Sequence, residues 1–424
     1  MKWMLTLVLT LGASFLAACS GGRDSHGDTA VVQAQKICPS SVDYSTVWTG
    51  ASGSGEVVKV QLDTTKMTWR ITYVESVVPA TAGTAEPSRA GDSQTGTLTQ
   101  ETQLPTQSLN NCTFRLDGAS LDPTMPARVF IGQGVIGGTI PGKEVQYPGL
   151  LGIGVIPDTT FRFFPFVAFS ALNTDLTTFA SGMTYRQLGF ALRLTAPSGQ
   201  ANFQSAPIDA TFRFNDDGSY VKCDTTGQFA GKCRQAGMNF VQSLDGSGAF
   251  ESDSYQSQLP ATAAAAPQGK AFMVVGKVRG EDVAVLVRKG AVGATLPNIV
   301  VDDEVGFSVL APQSTIGPQA VDGEYVAFDT TIPQGGNNDQ FNFRALLAKG
   351  TQATLLDPFN PSDPATATGL NIDYTQQTPG VLTVSNIDSS KAPTAASLIV
   401  HGGVFGYIDH SNPTPYFVGG VIAQ

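Results

Sequence analysis

The chain has 424 residues, a formal net charge of −10 and 14% charged residues, whereas a typical soluble domain has about 25%. Because a negatively charged chain with few lysines is not attracted to polyanions, the composition argues against a nucleic-acid partner. Gly, Ser and Thr are abundant and alternate with Val, Ile and Phe, a usage typical of β-sheet proteins.

The N-terminus has the three parts of an export signal. Lys2 precedes an apolar stretch from Met4 to Phe15, and the small residues of Leu16-Ala17-Ala18-Cys19 follow it. The apolar stretch is shorter than the ~20 residues of a membrane-spanning helix. The last four residues resemble the lipobox of bacterial lipoproteins, which implies cleavage after Ala18 and diacylglycerol on the sulfur of Cys19. The alternative is an ordinary secretory signal, cut at the same bond, in which Cys19 has no role.

The same resemblance implies where the protein is held. In Gram-negative sorting, Ser20 rather than Asp after the lipidated cysteine favours the outer membrane, and two or more acyl chains such as palmitate make a stable anchor. Residues 20–36 are small and polar, which predicts a flexible tether. We therefore expect a signal peptide over 1–18, a lipidated tether over 19–37, and a membrane partner reached through Cys19, on the periplasmic side or at the cell surface.

The remaining four cysteines agree with export. Cys38, Cys112, Cys223 and Cys233 predict two disulfides in an oxidising compartment, with three possible connectivities. Cys223 and Cys233 flank a short stretch that suits a pinned hairpin, which would leave Cys38 and Cys112 to tie the N-terminal segment to a later strand. A metal site is not expected, because the chain has no CxxC motif and only three histidines.

The body of the chain is dominated by strand patterns. Residues 58–62 and 67–73 alternate apolar and polar side chains around the turn 63–66, which predicts a hairpin. Similar hairpins are predicted over 211–223 and over 271–287, and a further run of strands covers 305–424. Few segments have helical periodicity, so the fold class expected is all-β, with antiparallel meanders and hairpins.

The spacing of the hairpins predicts two or three barrel-like or sandwich-like units. The expected boundaries are 38–145 for the first unit, 146–300 for the second and 301–424 for the third. A weak repeat supports this division, because residues 217–226 align with residues 322–331. A single β-propeller is the alternative architecture, since its blades would also show evenly spaced hairpins.

The segment 161–169 is the part of the chain least typical of a plain strand. It contains five phenylalanines, Pro165 interrupts it, and the alternation of apolar and polar residues is lost. One interpretation is a segment buried on both faces. The other is an apolar pocket or contact surface for a lipid, an acyl chain or a protein partner. The candidate ligand patch consists of Phe161, Phe163, Phe164, Phe166 and Phe169.

Motifs for cofactors and catalysis are weak. Residues 132–137 fit GxGxxG, but the glycines and proline that follow cannot open the helix that dinucleotide binding needs, so no cofactor is expected. His401 and His410 lie near the C-terminus, yet no GxSxG segment supplies a nucleophile. The acidic run 302–304 is a poor catalytic pair, because adjacent residues of a strand point to opposite faces.

The body resembles uncharacterised lipoprotein families of Gram-negative bacteria. The resemblance rests on the lipobox, the hairpins, the stretch 180–189 and the hairpin between Cys223 and Cys233. It implies no functional residue beyond Cys19. We expect a non-enzymatic binding or structural module, with an apolar ligand or an envelope protein as partner. The alternative is an exported, carbohydrate-active hydrolase, which requires two carboxylates, or a histidine and a hydroxyl, to meet in one cleft.

Overall fold

The fold is that of a computed structural model, in which residues 37–424 form one compact unit. The expected signal peptide, Cys19 and the expected tether lie outside the described residues. Within the described part of the chain, no helix is long and apolar enough to cross a membrane. The structure describes residues 38–84, 87–147, 159–180, 182–194, 205–226, 229–235, 239–255, 257–259, 269–295, 298–330, 341–361, 367–387, 396–410 and 416–423.

The first sheet is a closed, antiparallel, up-and-down barrel, called here the first barrel. Its strands are β1 (Trp48–Ser52), β2 (Glu56–Asp63), β3 (Thr68–Glu75), β4 (Ser93–Gln100), β5 (Thr113–Asp117), β6 (Arg128–Ile131), β7 (Val135–Pro141) and, after the short ribbon of β8 (Glu144–Val145) and β9 (Thr159–Thr160), β10 (Phe163–Phe169). Helix α1 (Gln107–Cys112) connects β4 to β5. The hairpin predicted over 58–73 is confirmed as β2–β3.

The second sheet, called the middle sheet, has nine strands and is open. Its strands are β11 (Thr184–Arg193), β12 (Ser205–Phe214), β13 (Tyr220–Asp224), β14 (Cys233–Gln235), β15 (Val241–Gln242), β16 (Phe250–Tyr255), β17 (Gly269–Val278), β18 (Glu281–Lys289) and, after the ribbon of β19 (Ala291–Thr295) and β20 (Asn298–Asp302), β21 (Glu304–Pro312). Helix α2 (Leu176–Ala180) precedes it. Strand β21 pairs with both β18 and β11 and so joins two meanders, which leaves β14 and β15 at the edges.

The third sheet is again a closed antiparallel barrel, called the second barrel. Its strands are β22 (Gly323–Asp329), β23 (Asn342–Lys349), β24 (Gln352–Leu356), β25 (Thr368–Thr378), β26 (Val381–Asn386), β27 (Ala396–His401), β28 (Val404–Asp409) and β29 (Tyr416–Ile422). Pairing of β22 with β29 closes the ring. The all-β prediction with barrel-like units is thus confirmed, and the propeller alternative is not.

The strands group differently from the predicted units at both internal boundaries. Strand β10 pairs with β1 and β7, so residues 163–169 complete the first barrel instead of opening the second unit. Strand β21 pairs within the middle sheet, although the third unit was expected to begin at residue 301. Both differences concern strands that pair over long sequence distances, which turn spacing does not specify.

The three sheets share one hydrophobic core, and phenylalanine rings lie where they meet. Phe307 of β21 lies 5.6 Å from Phe328 of β22, measured between ring centroids, and Phe190 of β11 lies 5.5 Å from Phe341. Aromatic contacts of this kind stabilise an interface beyond the area that they bury. Residues 37–424 accordingly form one compact unit.

Candidate functional site

A group of buried charges lies against one face of the middle sheet. Because side chains alternate along a strand, Lys222 and Asp224 of β13 share a face, and Arg234 of β14 lies directly opposite Lys222. We call the group the ionic cluster. Its members are Lys222, Asp224, Arg234, Arg288, Asp302 and Glu304.

Asp224 is the centre of the first half of this cluster. Its carboxylate accepts hydrogen bonds from Lys222 Nζ at 2.9 Å and from Arg234 Nη2 at 2.5 Å. Burial is the main cause that lowers the pKa of Lys222 to about 8, and the carboxylate of Asp224 opposes that shift. The Cys223–Cys233 disulfide joins β13 to β14 and so fixes Lys222 beside Arg234.

Arg288 organises the second half. Its guanidinium binds Asp302 through two hydrogen bonds of 3.0 and 2.6 Å, and its Nε lies 3.8 Å from Glu304 Oε1. Glu304 also accepts backbone N–H bonds from Gln258 at 2.8 Å and from Leu259 at 3.1 Å. The cluster therefore holds the segment 257–259 against the sheet.

Gln258 connects the two halves. With its amide oriented to satisfy both cations, the side-chain oxygen accepts from Arg234 at 2.9 Å and from Lys222. Further along the same face, Gln187 donates to Ser308 at 3.0 Å. The cluster is thus a connected network of cations, carboxylates and backbone groups that holds the segment 257–259 in place.

The sequence did not single out Lys222, Arg234 or Arg288. The signal available for two of them was their position beside Cys223 and Cys233, since the residues next to a hairpin disulfide share the opposite face of both strands. Arg288 ends an apolar run of β18, and nothing local in the sequence indicates that it is buried.

Two carboxylates do lie close together, as the hydrolase alternative requires, but both of them contact the guanidinium of Arg288. Asp302 ends β20 and Glu304 begins β21, and Arg288 contacts both carboxylates, at 2.6 Å and 3.8 Å. Asp303 points the other way and pairs with Arg193 at 3.1 Å. Because Asp302 and Glu304 are 6% and 0% exposed, a sugar ring has no access between them in this arrangement.

A histidine and a hydroxyl also meet. His410 Nε2 lies 3.2 Å from Ser397 Oγ and 3.1 Å from Asp209 Oδ2, and Arg186 pairs with the same aspartate. A histidine base needs one ring nitrogen for the hydroxyl and the other for the carboxylate. Here one nitrogen makes both contacts, so the group connects the middle sheet to the second barrel and does not form a proton relay.

His401 makes a second connection between the same two sheets. Its Nε2 lies 3.1 Å from the backbone oxygen of Asp282, which is the second residue of β18. Burial lowers the pKa of this imidazole, an effect that Glu281 opposes. Both C-terminal histidines are thus partnered within the protein, in agreement with a structural role.

The five phenylalanines of the candidate ligand patch lie in the core. None is more than 3% exposed. Phe161 contacts Phe164 with ring centroids 4.8 Å apart. Phe169 lies over Gly276 of β17, where an added Cβ would come within 2.0 Å of its ring. This burial leaves no open ring for a ligand, because the segment forms a strand covered by the barrel on one side and by neighbouring sheets on the other.

The second barrel encloses a small apolar cavity. Its volume is about 10 Å³, which is about the room that one water molecule needs. Eight-stranded barrels are either filled by side chains or hold one small ligand, and this barrel is filled. The lining residues are Leu346, Ala353, Leu355, Leu370, Ile372, Val384, Leu398, Phe405, Tyr407 and Val418.

The GxGxxG stretch is part of the β6–β7 hairpin. Residues 132–134 form the tight turn between β6 and β7, in which Gly134 has a φ of +83°, so no helix opens where a dinucleotide would bind. Within the described residues, no three His, Cys, Asp or Glu side chains form a group that could hold a metal ion.

Both disulfides are formed in the pairing that the spacing favoured. Cys38 is joined to Cys112 across 74 residues, and Cys223 is joined to Cys233 across 10. The first bond attaches the earliest described residue to the end of helix α1. The second links neighbouring strands of the middle sheet.

Comparison with known proteins places the chain in a family. A crystal structure of a protein with unknown function from the DUF3598 family of Nostoc punctiforme aligns with 58% of this chain and 97% of its own, at 7% identity and a TM-score of 0.17. No curated protein matches the chain. The family model described as "Protein of unknown function (DUF2957)" matches residues 68–421. The chain therefore belongs to the DUF2957 family.

Proposed function

We propose that this protein is exported, lipidated on Cys19 and anchored in the outer membrane of a Gram-negative bacterium. Its body is proposed to be a non-enzymatic structural or binding module that faces the periplasm or the cell surface. The proposal rests on the lipobox-like residues Leu16 to Cys19. It is supported by the two disulfides of the β-sheet body and by the low fraction of charged residues, 14%.

The structural observation that best supports export is the Cys38–Cys112 disulfide, because disulfides form and persist in oxidising compartments. It joins the base of the proposed tether to the first barrel. The next residues are held too, because Val42 N–H donates to Thr64 Oγ1 at 3.0 Å and Tyr44 Oη donates to Thr68 Oγ1 at 2.9 Å. A force on the tether would therefore be borne by a covalent bond. Without the disulfide, the same force would break the weak contacts of the N-terminal segment in turn.

The ionic cluster supports a structural rather than a chemical role for the body. Lys222 has the lowered pKa that catalytic lysines often show, but its ammonium is already bound to Asp224. Glu304 is likewise engaged by backbone N–H groups. These groups stabilise the segment that covers the sheet, which gives the membrane-tethered body a fixed shape.

The test is the mass of the mature N-terminus. The full chain and Cys19→Ala are expressed in a Gram-negative host, and the membranes are separated by density. We expect the wild-type N-terminal peptide to begin at Cys19 with diacylglycerol attached and to fractionate with the outer membrane. Cys19→Ala should lose the lipid and leave that fraction, because no acyl chain remains to anchor it.

Cys38→Ser with Cys112→Ser is the matched control, since it also removes cysteine sulfur but leaves the lipobox unchanged. This variant should keep the lipid. An unmodified wild-type N-terminus, or equal outer-membrane recovery of wild type and Cys19→Ala, would contradict the proposal.

A further inference from the structure

A buried lysine of the ionic cluster lies against the side-chain amide of a neighbouring segment. Lys222 of β13 is 4% exposed and Gln258 is 5% exposed. With the amide oriented to satisfy both cations, its oxygen accepts a hydrogen bond from Lys222 Nζ. Because a C=O bond is about 1.2 Å long, the amine nitrogen lies within about 4 Å of the amide carbon. Nucleophiles attack carbonyl carbons from ~3–3.5 Å, so the two groups are close to a reactive distance.

The amine has a proton acceptor beside it. Asp224 Oδ1 lies 2.9 Å from Lys222 Nζ, and this aspartate is 3% exposed. Burial lowers the pKa of Lys222 to about 8 from its ordinary 10.5. At pH 7 about one such amine in ten is neutral, against fewer than about one in a thousand for an exposed lysine. The lone pair that an attack needs is therefore available at neutral pH.

The amide oxygen has a cation beside it. Arg234 Nη2 donates to the side-chain oxygen of Gln258 at 2.9 Å. A guanidinium in this position polarises the carbonyl and stabilises the negative charge that develops on its oxygen during an attack. Pairing of β13 with β14 places Arg234 directly opposite Lys222, and the disulfide of the next residue pair, Cys223–Cys233, holds that register.

Two further contacts keep the amide in place and away from water. Glu304 Oε1 accepts the backbone N–H of Gln258 at 2.8 Å. The ring centroid of Tyr255, which is 3% exposed, lies 5.7 Å from Lys222 Nζ. Exclusion of water strengthens the electrostatic effects at a reacting group and suppresses hydrolysis. A nucleophile, a proton acceptor and an oxyanion donor thus surround one buried amide.

We propose that Lys222 and Gln258 become joined by an intramolecular isopeptide bond. The neutral amine attacks Gln258 Cδ, and one amine proton passes through the carboxylate of Asp224 to the leaving nitrogen. A C–N bond to the lysine forms, the C–N bond to the original amide nitrogen breaks, and ammonia leaves. The step needs no oxidant or reductant. Because an amide nitrogen does not titrate, the ionisation of Lys222 belongs to the chain before the bond forms.

The bond gives the segment 257–259 a covalent attachment to the middle sheet. This segment follows β16, which lies next to one edge strand of the open sheet, whereas β13 lies next to the other edge strand. A link from Lys222 to Gln258 therefore connects the two ends of a sheet that strand pairing leaves open. It concerns the body alone and does not depend on the anchor at Cys19.

The test is a tryptic peptide map of the full-length protein after denaturation, reduction and alkylation. Reduction removes the Cys223–Cys233 link, so that only an isopeptide bond still joins the two segments. Trypsin does not cut after an acylated lysine, and the bond should therefore join residues 214–232 to residues 235–270. We expect this branched peptide from most of the protein, at a mass about 17 Da below the sum of its two parts because ammonia is lost.

Three variants separate the roles of the groups. Lys222→Arg keeps the charge but removes the nucleophile, so it should abolish the branched peptide. Asp224→Asn should slow its formation by about tenfold or more, since the proton acceptor is lost. The matched control is Lys270→Arg, because Lys270 also lies 2.9 Å from a carboxylate, that of Asp253, but is 43% exposed. This control should form the branched peptide as the wild type does.

Separate peptides 214–222 and 235–270 from the wild-type protein would overturn the proposal, whether or not each variant folds. A linked peptide with a loss of about 18 Da would overturn it as well, because that loss marks water released between the lysine and a carboxylate. A branched peptide in Lys222→Arg would exclude this lysine as the nucleophile. The N-terminal peptide of the same map reports the lipid on Cys19, so failure of the bond and failure of the anchor are separate results.

Discussion

The middle sheet and the second barrel differ in the kinds of side chain that they bury. The second barrel is lined almost entirely by aliphatic side chains and encloses about 10 Å³ of empty space. The middle sheet instead carries buried cations and carboxylates, with Arg288, Asp302 and Glu304 all at most 6% exposed. Both are antiparallel sheets, and they differ in that the middle sheet is open and is contacted by the segment 257–259.

A closed barrel can be filled by apolar side chains, as the second barrel is, because every strand has a partner on both sides. The middle sheet stops at β14 and β15 and is covered by a chain segment that has its own polar backbone. Glu304 accepts the backbone N–H groups of Gln258 and Leu259, which a hydrocarbon side chain cannot do. An open sheet that is covered by a segment without strand pairing therefore needs buried acceptors, and these in turn need buried cations.

The largest effect is expected from Glu304→Ala. It should lower the free energy of unfolding by about 3–5 kcal/mol, since it breaks a buried ion pair and leaves two backbone N–H groups unpaired. The measurement is equilibrium unfolding in urea, with Glu281→Ala, at a side chain 64% exposed, as the matched control. Hydrogen exchange at Gln258 and Leu259 should also accelerate, and unchanged exchange there would contradict the role given to Glu304.

A smaller loss is expected from Leu398→Ala in the second barrel. Leu398 is 3% exposed and lines the apolar cavity, so truncation should enlarge that cavity and cost about 3 kcal/mol. Urea unfolding measures it, with exposed Leu244→Ala as the control. Exchange at 257–259 should stay at the wild-type rate in this variant. If Leu398→Ala accelerated that exchange as strongly as Glu304→Ala, the two interiors would not be independent.

The smallest effect concerns the pH dependence contributed by Lys222. Burial lowers the pKa of this lysine to about 8 from its ordinary 10.5, so between these values the unfolded chain binds more protons than the folded one. The free energy of unfolding should therefore rise with pH from 8 to 10, by ~1–3 kcal/mol. Lys222→Met should lack this rise, and parallel pH curves for the two proteins would refute the assignment.

Much of the secondary structure could be predicted from local patterns. The alternation around the turn 63–66 predicted the β2–β3 hairpin, and the short spacing of Cys223 and Cys233 predicted linked neighbouring strands. The phenylalanines of 161–169 suggested either a core or a ligand surface, and the sequence did not decide between them. Their burial follows from the position of β10 between β1 and β7, beside Gly276.

The sequence by itself determined the fold class, the hairpins and the favoured disulfide pairing, because strand alternation, turns and short cysteine spacings are local properties. It also carries the lipobox-like motif on which the proposed anchor rests. Only the tertiary structure decided that β11 pairs with β21, that His410 meets Asp209, and that Glu304 binds the segment 257–259. These contacts join residues far apart in the chain, and which of them form depends on which faces the folded sheets bury.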